Sequence, residues 1–325
     1  MNLEIKVTKR EIKVGMALIL VSALMLFAVK SALYFELQYE NSLFVREEIF
    51  RLDVPKGVDP FDELSLSSKS FFVWDMRDNK KLGGLNEEMQ FPLASLTKLM
   101  TVLVASELST SDTIVKIKDS DLTAEGDNGL VVGEEWNFTD IIDFVLLTSS
   151  NDGAQALASV ISAFDYGLNN KDERELFVDK MNEKVEKLGL KQTFFLNETG
   201  LDINGAVSGA YGSAKDIAIL VDNIMQDYPE LLNVSSHKQV EINSDFLTHR
   251  VDNTNPSVEE LPGVVASKTG FTDLAGGNLM VVFDAGINHK IVVAVLGSTK
   301  EERFTDVDRL VWASLEKIFN ENQKR

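Results

Sequence analysis

The sequence predicts an α+β fold: one antiparallel sheet assembled from both ends of a single domain, with helices flanking it and a helical lobe inserted between them. Three observations carry that expectation. "SFFVWDM" followed by "RDNKK" and "LGGLNEE", from Ser70, reads as a strand, a turn and a second short strand. The middle third shows helical spacing. The last third switches to the β-branched runs "VVASKTG", "GNLMVVFDA" and "KIVVAVLGS". Their connections are too short for a parallel crossover, so these neighbours should pair antiparallel.

Each element has a local reason. From Leu93 to Leu108, just after Pro92, apolar residues fall on nearly every face, which predicts a helix through the centre of the domain. "TDIIDFVLL" has Thr139 as an N-cap candidate, "DGAQALASVISAF" follows, and "ERELFVDKMNEKVEKLG" ends on Gly189 as a C-cap. "SAKDIAILVDNIM" opens with Ser213 and Asp216 at capping-box spacing. A final helix, Arg303 to Phe319, is expected to pack back on the sheet. No internal repeat or low-complexity tract interrupts the pattern.

Composition narrows the function classes. A chain of 325 residues with 44% hydrophobic content can bury a substantial core. The first thirteen residues carry +2, from Lys6, Lys9, Arg10 and Lys13 against Glu4 and Glu11, and the remainder carries −21. Such a surface repels phosphate backbones, so no nucleic-acid partner is expected. Cysteine is absent, which excludes disulfides, thiol catalysis and cysteine-ligated metal. His237, His249 and His289 lack ligand spacing, and nothing points to a metal, a cofactor or a Ser-His-Asp triad.

The N-terminus carries a targeting signal. Val14 to Val29 is uncharged and apolar, and with Lys30 snorkelling toward the interface the stretch to Phe35 reaches the roughly 20 residues that span a bilayer. The expected organisation is a cytoplasmic tail (1–13), a transmembrane signal anchor (14–35) and an extracytoplasmic remainder, as the basic flank favours. The competing reading is a cleaved signal peptide, although "AVKSALYF" offers no clean small-x-small site. Residues 36–66, mixed and acidic with Pro55, Gly57 and Pro60, read as a stalk. The domain is then 67–320, with a short tail at 321–325.

Within the domain, "FPLASLTKLM" sets Ser95 and Lys98 three positions apart, on one face of a helix, where an amine can reach a hydroxyl. A serine needs a neighbouring base to become a nucleophile, and a desolvated lysine can serve. Alone the pair means little, because a chain of ordinary composition carries about one S-x-x-K by chance. "TSSNDGA" adds Ser149 and Asn151 in a loop between two helices, where they can present a hydroxyl and an amide into a cleft. S-x-N is also near chance level. "SKTGFTDLAGGN" is sharper: Lys268, Thr269 and Gly270 end a β-branched run. There a lysine and a threonine can bind a carboxylate, and glycine admits a close substrate backbone. A strand end and a turn explain Lys268 and Gly270 equally well when taken singly.

Taken in order, S-x-x-K, S-x-N and K-T-G form the signature of penicillin-binding proteins and serine β-lactamases. "PLASLTKLMT", "LLTSSNDGAQALA", "NETGLDINGAVSGAYGSAKDIAIL" and "KTGFTDLAGGNLM" closely resemble the D-alanyl-D-alanine carboxypeptidase family of low-molecular-weight penicillin-binding proteins. The resemblance runs from about Ser70 to Phe319. It implies a β-lactamase/transpeptidase-like fold in the envelope of a bacterium. It also implies an acyl-enzyme mechanism on peptidoglycan stem peptides ending in D-Ala-D-Ala, with Ser95 as nucleophile and Lys98 as its base. Ser149 would relay a proton to the leaving D-alanine, and Asn151 would contact the substrate amide. Lys268, Thr269 and Gly270 would line the binding edge, with Lys268 and Thr269 on the terminal carboxylate. The N–H groups of Ser95 and Phe271 would hold the oxyanion. β-Lactam antibiotics would be trapped as slowly hydrolysed esters of the same serine.

The sequence departs from the family pattern in three places. Many members carry a C-terminal β-rich domain and an amphipathic anchor helix, whereas here the apolar segment is N-terminal and six residues follow Phe319. Some members place an arginine ahead of K-T-G; at the matching Asn253 to Asn255 there is none, and Arg250 is a candidate stand-in. Glu198 in "NETGLD" is reminiscent of the deacylating glutamate of class A β-lactamases. That keeps a β-lactamase as an alternative to the carboxypeptidase, together with a D,D-endopeptidase acting on cross-links. A catalytically silent wall-binding protein is disfavoured because every motif residue is present.

Overall fold

The structure, a computed structural model, describes residues 58–110, 112–126, 129–166 and 173–323. The expected cytoplasmic tail, the anchor at 14–35 and residues 36–57 of the expected stalk lie outside the described residues. Among the described residues no helix is long and apolar enough to cross a membrane.

The main sheet has five strands and is built from both ends of the domain. Its strands are β1 (Ser70–Asp75), β2 (Lys80–Leu85), β10 (Val264–Thr272), β11 (Gly276–Asp284) and β12 (Lys290–Ser298), in the order β10-β11-β12-β1-β2. Every pairing is antiparallel, and β1 closes against β12 with Phe72 opposite Ala294. The alternation along these strands sorts their side chains between two cores. Phe71, Val73, Val281, Ile291, Val293 and Val295 face the C-terminal helix, while Phe72, Met280, Val282, Val292, Ala294 and Leu296 face the helical lobe. Both faces are covered, which is why β12 reads as an almost unbroken apolar run.

The lobe is made of α1 (Thr97–Leu108), α2 (Phe138–Thr148), α3 (Asn151–Tyr166), α4 (Glu173–Leu188) and α5 (Ala214–Asp227). The C-terminal α6 (Glu302–Asn322) covers the opposite face of the sheet. In α1 every residue from Thr97 to Ala105 is buried, as its all-round apolar pattern requires. Ser213 caps α5 by accepting from Asp216 N at 3.1 Å. Gly189 follows α4 at φ +66°, the left-handed conformation a C-terminal glycine supplies. At α2 the helix opens on Phe138, so Asn137 and not Thr139 holds the N-cap position.

Among the described residues three small sheets accompany the main one: β4 (Ile114–Lys116) with β5 (Glu135–Asn137), β8 (Gln239–Asn243) with β9 (Thr248–Asp252), and β7 (Ala210–Gly212) between β3 (Phe91–Pro92) and β6 (Phe194–Phe195). Residues 59–66, expected to end the stalk, instead belong to the domain, because their apolar side chains are partly buried against it. Phe61, Leu64 and Leu66 pack on the α6 side of the sheet, Asp59 accepts from Lys317 Nζ at 2.5 Å, and Ser67 N donates to Asp306 at 2.9 Å.

Candidate active site

Ser95 does not sit in the first turn of the long helix. It lies in a 3₁₀ turn, Ala94–Leu96, immediately ahead of α1. Ala94 has φ +48°, a left-handed conformation that is costly for alanine, and it breaks the helical run at this point. The strained turn is held from two sides. Asn278 in β11 donates from Nδ2 to the carbonyls of Pro92 and Leu93, both at 3.0 Å, while its Oδ1 accepts from Gly297 N at 2.9 Å. On the other side the turn at Gly200 presses against Ala94. A methyl group on Gly200 would stand 1.9 Å from Ala94 O.

Lys98 follows in the first turn of α1, with its side chain fully buried. Its three N–H donors have three acceptors: Ser95 Oγ at 3.0 Å, Asn151 Oδ1 at 2.7 Å and Thr199 O at 2.9 Å. Burial drives its pKa down to about 7, against a smaller upward pull from Glu198. An amine poised between its two protonation states near neutral pH, beside a hydroxyl, is equipped to take a proton from it.

The second hydroxyl comes from the α2–α3 connection. Ser149 ends α2 at φ +62°, which turns the chain sharply so that α3 can begin at Asn151. Lys268 Nζ donates to Ser149 Oγ at 2.7 Å and to Thr269 O at 3.0 Å. Lys268 is 1% exposed, and burial pushes its pKa well below the ordinary lysine value, assisted by the charges of Lys98 and Arg303. Thr269 Oγ1 donates to Thr254 Oγ1 at 2.7 Å. Asn151 is anchored by donation from its Nδ2 to Glu125 O at 2.7 Å.

The strand β10 runs directly past the serine. A methyl on Gly270 would lie 3.0 Å from Leu93 O and 3.2 Å from Ser95 N, so any side chain there would press the strand edge and the serine turn apart by a few tenths of an ångström. Phe271 is 41% exposed beside it, with Lys300 Nζ 5.2 Å from its ring centre. Arg303 in α6 approaches from behind and donates to Gly270 O at 2.7 Å.

The eight residues singled out in the sequence therefore converge: Ser95, Lys98, Ser149 and Asn151 from the lobe, Lys268, Thr269, Gly270 and Phe271 from the sheet edge. Arg250, the candidate stand-in, makes its side-chain bond within the β8–β9 pair. It is exposed on β9 and donates to Gln239 Oε1 at 2.6 Å. The carboxylate of Glu198 is buried and paired with Arg174, whose Nε donates to it at 2.8 Å, while its backbone carbonyl accepts from Thr101 at 2.6 Å. Sequence reasoning did not single out Asn278, Thr254, Thr199 or Arg303. A polar residue heading an apolar strand could have flagged Asn278. Arg303 left no local signal, because its role depends on α6 lying against β10.

An antiparallel sheet with a serine and a desolvated lysine at its edge strand defines the penicillin-binding class of serine hydrolase folds. The family model of D-alanyl-D-alanine carboxypeptidases, peptidase family S11, matches residues 58–300, and the chain belongs to that family. It is 30% identical over 264 residues to the D-alanyl-D-alanine carboxypeptidase DacF of Bacillus subtilis, covering 77% of this chain and 62% of that protein. It is 28% identical to the D-alanyl-D-alanine endopeptidase of Pseudomonas aeruginosa, over 83% of this chain and 84% of that one. Ampicillin-bound penicillin-binding protein D2 from Listeria monocytogenes superposes with a TM-score of 0.65 at 25% identity, covering 78% of this chain and 98% of that one. The chain thus spans about three-fifths of the length of the Bacillus relative.

Proposed function

We propose that this chain is a serine-type D-alanyl-D-alanine carboxypeptidase that removes the terminal D-alanine of peptidoglycan stem peptides. The observation that carries the reading is the fully buried Lys98, with a pKa near 7, bonded to Ser95 Oγ at 3.0 Å. Neutral Lys98 takes the hydroxyl proton as Ser95 Oγ attacks the carbonyl between the two D-alanines. The tetrahedral oxyanion forms against the N–H groups of Ser95 and Phe271. As the C–N bond breaks, the departing amine receives a proton through Ser149, whose hydroxyl is bonded to Lys268. Lys268 and Thr269 donate to the terminal carboxylate, and Asn151 meets the substrate amide. Water then attacks the ester and frees Ser95. A β-lactam opens onto the same serine and leaves slowly.

Intact-mass analysis with penicillin, alongside digestion of a pentapeptide substrate, tests this reading. The expected results are one penicilloyl group, mapped to Ser95, and release of one D-alanine per peptide. An adduct on Ser149 or Ser150, or none, overturns it. The Pseudomonas endopeptidase, matched over 84% of its length, favours cleavage of cross-links as a second reading. Release of monomers from a cross-linked dimeric muropeptide would select it.

The domain, which begins at Asp59, is proposed to stand outside the cytoplasm, carried by residues 36–58 and held by residues 14–35 as an uncleaved single-pass anchor. The support is the apolar run behind a basic flank. N-terminal sequencing of membrane-extracted protein should return the chain with its first 35 residues; a start near residues 33 to 40 would convert the anchor to a cleaved signal.

A further inference from the structure

A buried cation holds the Gly270–Phe271 peptide from behind. Arg303, in the first turn of α6, is 6% exposed, and its Nη1 donates to Gly270 O at 2.7 Å. No peptide bond among the described residues is cis, so Gly270 C=O and Phe271 N–H point in opposite directions. Successive carbonyls of an extended strand also alternate sides. Thr269 O faces Lys268 Nζ at 3.0 Å, which leaves Gly270 O on the side away from it and returns Phe271 N–H to the side of that amine, which is itself bonded to Ser149 Oγ at 2.7 Å. Arg303 therefore grips one end of the same amide whose other end donates into the site.

This contact comes at a cost to stability. The Nε of Arg303 is buried without a hydrogen-bond partner, and burial lowers its pKa to about 10. The guanidinium stacks over Phe304 at 4.7 Å and adds a like charge to the neighbourhood of Lys268. An apolar side chain would fill the space without desolvating a charge. A charge-assisted hydrogen bond to a carbonyl, by contrast, does what an apolar residue does not. It fixes the amide plane and draws electron density toward the oxygen, so the N–H of that amide becomes a stronger donor.

We propose that Arg303 is a positioning residue for the oxyanion-binding peptide, which it orients and polarises through Gly270 O so that Phe271 N–H stabilises the charge developing on the substrate carbonyl. The proposal rests on the acyl-enzyme reading above. It gives a residue of the C-terminal helix, which has no donor to substrate in this role, an effect on the rate of acylation.

The test is difference infrared spectroscopy of the acyl-enzyme formed with penicillin carrying a ¹³C-labelled β-lactam carbonyl. Stopped-flow acylation rates are measured on the same samples, with thermal unfolding to verify folding. In Arg303→Gln the ester carbonyl band should move to higher wavenumber and acylation should slow by about tenfold, a fraction of the loss on deleting an oxyanion donor outright. Arg303→Lys, which keeps a charged donor, should hold the band and stay within about threefold of the wild type. Arg303→Met, which introduces no buried polar group of its own, carries the same expectation as the glutamine variant and replaces it if that variant does not fold. A folded neutral variant with an unshifted ester band and unchanged acylation would overturn the proposal. Absence of any Ser95 adduct in the wild type would instead overturn the functional reading itself.

Discussion

Lys98 Nζ stands 3.0 Å from Ser95 Oγ with no part of the lysine exposed, so nucleophile and base share one desolvated contact. Only the neutral amine can accept the serine proton. With the Lys98 pKa near 7, kcat/KM for acylation should rise with pH through about 7 and then level off. Lys98→Arg keeps the cation, stays protonated throughout, and should slow acylation by about 100- to 10,000-fold with the fold intact. Retention of a substantial acylation rate by the arginine variant would exclude the lysine as base.

The same burial makes Lys98 a stability liability with a defined pH window. Its folded pKa, about 7, lies below the ordinary value of 10.5. Between those values the unfolded chain binds the extra proton, so stability from this group rises with pH. Below about 7 both states are protonated and the full cost of burying the charge is present. Lys98→Met should therefore be more stable than the wild type at pH 6. That advantage should shrink between pH 7 and 10 by about 1.4 kcal/mol per pH unit. Urea unfolding of both proteins across pH 6 to 10 measures it, and a constant difference would contradict an uncharged folded-state lysine.

Glu198 tests the β-lactamase alternative. Its carboxylate is paired with Arg174 Nε at 2.8 Å and is 1% exposed, a structural arrangement for a buried acid. Glu198→Gln should change turnover of a D-alanyl-D-alanine peptide by less than about tenfold, well below the loss typical of a deleted general base. Because Glu198 raises the Lys98 pKa, the acid limb of the pH profile should move to lower pH in this variant. Rapid penicillin hydrolysis by the wild type, lost in Glu198→Gln, would favour the β-lactamase.

The sheet was legible because its period and its short connections are local properties, as Ile291 to Leu296 illustrate by alternating between two cores. Seven of the eight proposed site residues lie in three motifs whose order pointed to their convergence, and Phe271 directly follows the third. The exact position of Ser95 was not. A buried apolar run looks the same whether its first turn is 3₁₀ or α, and what sets the difference is the left-handed Ala94, in a turn held by Asn278 of β11 through carbonyls 186 and 185 residues away in the chain. Arg303 was equally hidden, since 33 residues separate it from the carbonyl it grips. Glu198 shows the opposite limit: a local motif resemblance gave no sign of its partner Arg174.

Gly200 offers the most direct test of how the serine turn is held. It sits at φ +79°, and a methyl there would meet Ala94 O at 1.9 Å, Ala94 C at 2.5 Å and Thr97 Oγ1 at 2.5 Å. The first two atoms are backbone, so they cannot rotate away. Both the left-handed conformation and the clash oppose Gly200→Ala, and together they should cost about 2 to 4 kcal/mol of stability. Relief requires the turn to retreat from Ala94. The adjoining Thr199 O, which accepts from Lys98 Nζ at 2.9 Å, would retreat with it and leave the base poorly held. Acylation by penicillin should consequently fall by at least about tenfold even in the fraction that remains folded, as small misplacements of reacting groups usually do. Gly205→Ala is the matched control in the same loop, because nothing lies within 4 Å of its added methyl. It should alter stability by less than about 0.5 kcal/mol and leave acylation unchanged. Equal behaviour of the two variants in urea unfolding and stopped-flow acylation would show that the approach of Gly200 to Ala94 does not hold the nucleophile in place.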